Sequence, residues 1–351
     1  VALANAPAPE RGAADPLELA VGVVPQRPLE PGEGLAMRRA GIGWTRVWLS
    51  WAGAEQTRGK YDWGRSDELI GAASGEGLSV LPMLFGSPQW AAQRDRHPCW
   101  GHGCIPFAPA SSETRDAFAQ FAGAAARRYG PSGAFWAQHP AVPYRPIRVW
   151  QVWNEQNMNA FFRPRADAEA YAALVASAAE QIHDQDPEAQ VLLGGMFGPR
   201  NRRGLVATTR FLADLYGEPQ VAGSFDAVAI HPYSGSALGA LQQVRRVRRT
   251  IHRHGSGESI WVTEIGWASG GRRGLDLVKD RRRQARLLRR MFSRFVSKHE
   301  SWDLGGAFWY AWRDTERGMA VCGWCARAGL ISRSGRPKPA YRMLRRVLSP
   351  R

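Results

Sequence analysis

Lysine is almost missing from this sequence: four of its 47 basic residues are Lys and the rest are Arg. So one-sided a choice points to coding bias rather than to selection for phosphate binding. No recognisable nucleic-acid motif accompanies the formal charge of +16, which leaves nucleic acid a poor partner. No apolar run is long enough to span a bilayer, so no membrane-spanning helix is expected. Internal repeats are absent, as is any sign of a second domain. At 44% hydrophobic, the 351 residues suffice for one large core.

Cysteine is scarce. The four fall into two local pairs, Cys99/Cys104 and Cys322/Cys325. The second pair, in "CGWC", resembles a redox motif, but no thioredoxin-like βαβ pattern surrounds it. In "HPCWGHGC", His97, Cys99, His102 and Cys104 could instead face zinc, although the spacing is too tight for the usual fingers. The opening "VALANAPAPE" looks like the tail of a secretory signal followed by an Ala/Pro linker, with Ala4-Asn5-Ala6 fitting a small-residue cleavage site. Residues 1–16 are read as that linker and 17–351 as one catalytic domain. Export is expected, and in an exported protein each cysteine pair is expected to form a disulfide.

The Arg residues are present in runs. "RRVRRT" (245–250) and "DRRRQARLLRR" (280–290) read as solvated helix faces, binding of an acidic polymer being the alternative. Tryptophan is abundant, at fifteen copies. Such residues mostly fill core, but they also line sugar sites.

Short apolar runs recur eight times: 17–24, 43–50, 78–85, 147–153, 189–195, 225–231, 259–264 and 304–312. Stretches with helical spacing lie between most of them, at 112–130, 167–185, 239–255 and 280–299. Strands alternating with helices imply parallel pairing through right-handed crossovers, and eight such units predict a single (β/α)8 barrel. Pro82, inside the third run, removes a ladder donor, and a strand bulge would reconcile it with that assignment.

Two of the runs end in a carboxylate. "VWQVWNEQN" closes on Glu155 and "SIWVTE" on Glu264. A buried, unpaired carboxylate is costly, so each needs partners or a function. In a barrel both would face one pocket at the C-terminal rim, as a general acid and a second carboxylate flanking a glycosidic bond require. The alternative for either is a cap or salt-bridge partner.

Here the chain resembles a family. "VWNEQN" (152–157) and "WVTEIGW" (261–267) are similar to the acid/base and nucleophile motifs of the retaining (β/α)8 glycoside hydrolases of clan A, nearest to family 39 and the family 5 cellulase-like proteins. The likeness extends to "GIGWTRVWLSWAGAEQTRGKYDW" (41–63), "SPQW" (87–90), "AIHPYSG" (229–235) and "AFWYAW" (307–312), and runs from about residue 17 to 348. It implies Glu155 as acid/base and Glu264 as nucleophile. It further implies that Asn154 bonds the sugar 2-hydroxyl, Arg46 and Tyr233 hold Glu264 ionised, and His231 sits near Glu155 or a sugar hydroxyl. Trp309 would stack under the reacting ring, with Trp90 and Trp267 as further platforms among the indoles past strand ends, which include Trp51 and Trp312. Salt-bridge or packing roles are the alternatives for each. Many clan members carry Pro after the acid/base, where this chain has Gln156.

The activity implied is retaining hydrolysis of a poly- or oligosaccharide with no metal and no organic cofactor, by a monomer. A transglycosylase, or non-catalytic binding of an anionic polysaccharide, are the rivals. Segments 86–111 and 313–327 would form walls of the cleft. Arg272, Arg273 and Arg313 follow the seventh and eighth strands, and would favour a uronate-bearing glycan if they face it.

Overall fold

The computed structural model describes residues 19–271, 276–316 and 322–349. Residues 1–16, Arg272 and Arg273 lie outside them. All eight apolar runs form strands: β1 (Ala20–Val24), β2 (Trp44–Ser50), β3 (Ser79–Phe85), β4 (Val149–Val152), β5 (Gln190–Leu193), β7 (Ala227–His231), β8 (Ser259–Ile265) and β9 (Leu304–Tyr310), with a two-residue β6 (Met196–Phe197) between β5 and β7. Every pairing between them is parallel. β1 joins β9, and Leu192 of β5 reaches Ala227 of β7, which closes the sheet into an eight-stranded barrel. β6 continues the stave of β5 beyond Gly194-Gly195 and pairs with Ile230 and His231. Parallel pairing puts every strand's C-terminal end at one rim.

Strand alternation sorts the core into two shells. Val24, Leu81, Val149, Leu192, Ala229 and Phe308 fill the barrel interior. A larger outer shell includes Val23, Trp150, Val152, Trp267 and Trp309 and meets the helices. The four stretches with helical spacing are the helices Ser112–Tyr129, Ala168–His183, Ala237–Arg253 and Arg281–Trp302. Ser111, Asp167, Ser236 and Asp280 cap their N-termini by accepting backbone N–H bonds, each typically worth about 1 kcal/mol. Arg245, Arg246 and Arg249 are exposed. Arg248 instead turns inward and donates to the carbonyls of Glu258 and Trp302.

Pro82 needs no bulge. Its strand pairs with β2 in unbroken register, from Trp44 opposite Ser79 to Ser50 opposite Phe85. Pairing with β4 is confined to Met83 and Leu84, so the strand starts that ladder only after the proline. The sheet irregularity lies instead between β8 and β9, where Thr263 and Glu264 together oppose a single residue. No helix among the described residues is long and apolar enough to cross a membrane.

Candidate active site

At the end of β4 the chain turns sharply. Trp153 and Glu155 have positive φ, 72° and 46°. Such conformations are costly for side chains with a Cβ and persist only where neighbours enforce them. The Trp153 indole donates to the Phe161 carbonyl at 2.7 Å and packs against Phe85, Phe118 and Phe162. The next two residues anchor the turn to the fifth stave. The Gln156 amide donates to the Gly194 carbonyl at 3.0 Å, while Asn157 bridges the Phe197 and Val206 carbonyls. Gly194 and Gly195 make room for this: a Cβ on the first would overlap Gln156 Oε1, and one on the second His231 Nε2.

Glu155 is thereby held at 9% exposure with His231 Nδ1 2.8 Å from its Oε1. The other ring nitrogen of His231 lies 3.1 Å from Thr263 Oγ1, which itself accepts from the Gln151 amide at 3.3 Å. The two ring nitrogens of His231 thus tie Glu155 to Thr263. Burial pushes the Glu155 carboxyl above the ordinary value, and the nearby Glu264 adds to this. The His231 hydrogen bond opposes the shift without cancelling it.

Glu264 has the opposite environment. Burial alone would raise it too, but His231, Arg46 and the Tyr233 hydroxyl outweigh burial and hold it below the ordinary value. Arg46 Nη1 donates to Oε1 at 2.5 Å, and Tyr233 donates to Oε2 at 2.8 Å. Arg46 also fastens Asn154, donating to its Oδ1 at 2.8 Å, and Gln151, donating to its Oε1 at 2.7 Å. Because Arg can only donate, it fixes the Asn154 amide with its oxygen inward. The Asn154 NH2 has no partner among the described residues and is free to meet a ligand. The bulge in β8 brings Thr263 and Glu264 to the interior on consecutive residues, which a regular strand would not do.

A His231 nitrogen and one oxygen each from Glu155 and Glu264 all lie within 4.8 Å of one another. Such a trio has the dimensions of a small cation site. Its Glu264 oxygens, however, are already committed to Arg46 and Tyr233. A cleft of about 800 Å³ opens beside Arg46 over the ends of β1 to β3, bounded by Gln26, Trp48, Gln89 and His102.

The structure brings together Arg46, Asn154, Glu155, His231, Tyr233 and Glu264, and places the indoles elsewhere. Trp309 is wholly buried on the outer face of β9, against Phe292, and donates to the Ala328 carbonyl. Strand parity gives the inward position to its neighbour Tyr310. Trp267 is also core, donating to the Ser234 carbonyl. Trp90 is half-buried against Trp51, its indole donating to the Glu55 carbonyl. Trp51 and Trp312 are buried as well. The indole that does line the cleft is Trp48, 44% exposed, two residues from Arg46 on the same strand face. That spacing was the available signal. Gln151, Thr263 and the Gly194-Gly195 pair were also missed.

Cys99 is bonded to Cys104 and Cys322 to Cys325, so neither thiol of "HPCWGHGC" is left for zinc. Arg313 is committed to Glu33, with Nε donating at 2.8 Å, and is not a free cation for a uronate.

No family model and no curated protein matches the sequence. Solved structures do match. A family 39 glycoside hydrolase from the gut symbiont Bacteroides cellulosilyticus is 21% identical with a TM-score of 0.68, over 95% of this chain and 64% of that one. A monomeric β-xylosidase from Caulobacter crescentus gives the same identity and score, over 95% and 69%. An intracellular xylanase from Thermoanaerobacterium saccharolyticum is 14% identical with a TM-score of 0.63, over 95% and 99%. At these identities the likeness speaks for the barrel fold.

Proposed function

We propose that this chain is a retaining glycosidase acting by double displacement. Protonated Glu155 donates to the leaving oxygen while Glu264 attacks the anomeric carbon. The bond to the leaving group breaks as the bond to Glu264 Oε forms. Glu155, now a base, takes a proton from water, which releases the sugar and frees Glu264. The observation that carries this reading is the opposite bias of two carboxyls within one small site, one shifted toward the protonated form by burial and the other toward the ionised form by His231, Arg46 and Tyr233. An oxygen of each lies within 4.8 Å of one on the other, a closeness in keeping with retention, whose carboxyl pairs stand nearer together than inverting ones. Asn154, with its NH2 open, supplies a contact that tightens as charge develops on the sugar.

The substrate class we favour is a neutral β-linked glycan. The similarity to a β-xylosidase and a xylanase supports it, as does the pairing of Arg313 with Glu33. We place the protein outside the cytoplasm, where its two disulfides would persist. The test is a product screen of native protein and Glu264→Gln on neutral and uronate-bearing polysaccharides and aryl glycosides, with products read by mass and anomeric configuration by NMR. Release by the native protein alone, with retained configuration, is expected. Products longer than the substrate would mark transglycosylation. Inverted products, or undiminished release by Glu264→Gln, would overturn the mechanism.

A further inference from the structure

We infer that Trp324, clamped by the Cys322–Cys325 bond, is a sugar-stacking wall beside Glu264, so that reducing this bond loosens the hold on the glycan; this rests on the glycosidase reading above. The indole is half-buried and stands edge-on to Tyr233 (centroids 5.1 Å apart, planes at 69°) and to Tyr310 (5.8 Å, 62°). Tyr233 is the residue whose hydroxyl holds Glu264 Oε2. Trp324 therefore lies one ring away from the candidate nucleophile. Its Nε1–H has no partner among the described residues; those of Trp150 and Trp261 also lack one but are buried in the core, whereas the indoles of Trp51, Trp153, Trp267, Trp309 and Trp312 each donate to a protein oxygen. A half-buried indole with an uncommitted donor suits a sugar, whose C–H face packs on a ring while a hydroxyl accepts from the N–H.

The clamp explains how a loop residue keeps that position. Cys322 and Cys325 close a four-residue ring around Gly323 and Trp324. Cys325 is 3% exposed and packs among Phe308, Tyr310 and Ala328 at the barrel mouth. Its carbonyl accepts from the Gln26 amide at 3.1 Å, and Gln26 lines the cleft. One half-cystine is thus fixed in the core, and the disulfide transmits that fixity to Trp324. On reduction a dithiol donates two electrons and two protons, the S–S bond becomes two thiols, and the dithiol becomes its own disulfide. Trp324 then keeps only its ring contacts and the bond its carbonyl accepts from the Arg327 N–H.

The experiment measures glycan affinity by calorimetry in a Glu264→Gln background, which prevents turnover, using the full glycan panel. Trp324→Ala should weaken binding by about tenfold and Trp324→Phe by about threefold or less. Cys322→Ser/Cys325→Ser should cost a several-fold loss. Dithiothreitol should reproduce that loss in the parent and add none in the double variant, which separates this bond from Cys99–Cys104. Equal affinity of Trp324→Ala and parent for a glycan that native protein hydrolyses overturns this inference alone. An unchanged double variant removes the redox part. Absence of binding and hydrolysis across the panel sinks the inference together with the glycosidase reading.

Discussion

The ends of β4 and β8 deliver one carboxylate each to the same rim and treat them oppositely. At β4 the device is backbone: two left-handed residues, Trp153 and Glu155, tuck the carboxyl under the turn, where a single ring nitrogen meets it. At β8 the device is side chains: a bulge aims Glu264 at a guanidinium and a phenol, one for each oxygen. Burial of the two is similar, at 12% and 13% side-chain exposure. The difference in proton affinity therefore comes from partners and not from depth. Arg46 does most to keep the two ends distinct, since it binds Glu264, Asn154 and Gln151 at once.

Removing either carboxyl should break the comparison outright. Glu264→Gln is expected to lower kcat/KM by on the order of 10⁴-fold or more, as loss of a nucleophile does. In Glu155→Ala, azide should restore turnover of an aryl glycoside with a good leaving group and give a glycosyl azide of the substrate's configuration. Azide acting on Glu264→Gln and leaving Glu155→Ala inert would exchange the two roles. Next in size is Arg46→Lys, which keeps the charge but loses the fork. About a hundredfold loss in kcat/KM is expected, with the acid limb of the pH profile moving up as Glu264 loses part of what depresses it. A limb that stays in place would mean that Tyr233 and His231 suffice.

His231→Phe sharpens the contrast instead of abolishing it. His231 lowers the proton affinity of both carboxyls. Without it the alkaline limb, set by Glu155, and the acid limb, set by Glu264, should both move to higher pH, with about a tenfold loss at the optimum. Movement of one limb only would show that His231 serves one carboxyl.

Asn154, His231, Tyr233 and Glu264 were legible because each ends a strand or lies within two residues of its C-terminal end, where chemistry collects at one rim, and Glu155 follows one residue beyond that distance. His231 and Tyr233 needed only that rule and the resemblance, whereas Arg46 lies inside β2, four residues before its end, and rested on the resemblance alone. The indoles were not legible. A strand side chain points in or out by parity, and "AFWYAW" offers Trp309 and Tyr310 one residue apart, so the residue type suggested the first while the pleat selected the second. Glu264 shows the converse. Trp261 faces the interior, so strict alternation would turn Glu264 outward, and only the bulge turns it in. The Gly194-Gly195 gap could have been read as close approach of other chain segments, but nothing local to it says that Gln156 and His231 are what approach.

Gly195→Ala tests that gap, since its Cβ would occupy the place of His231 Nε2. Displacing the ring costs about 1–3 kcal/mol of stability, readable by denaturant titration, and the His231 effect on the pH profile should appear with it.

The smallest effects concern stability against pH, where the two carboxyls should again differ in sign. Glu155 has a folded value above its unfolded one, so its contribution is full at pH below the unfolded value and is lost as pH rises through the folded one. Glu264 has a folded value below its unfolded one, so its contribution is present above the unfolded value and is lost as pH falls through the folded one. At pH 7 Glu155→Gln removes a carboxyl whose ionised form the fold resists burying and should raise Tm. Glu264→Gln removes a charge the fold prefers, leaves Arg46 unpaired, and should lower it. Shifts of about 2 °C in each direction are expected by calorimetry. Toward pH 4 the gap should narrow, because Glu155 is then protonated in both states and Glu264 begins to lose its advantage. A gap that widened on acidification would reverse the assignment of which carboxyl the fold keeps charged.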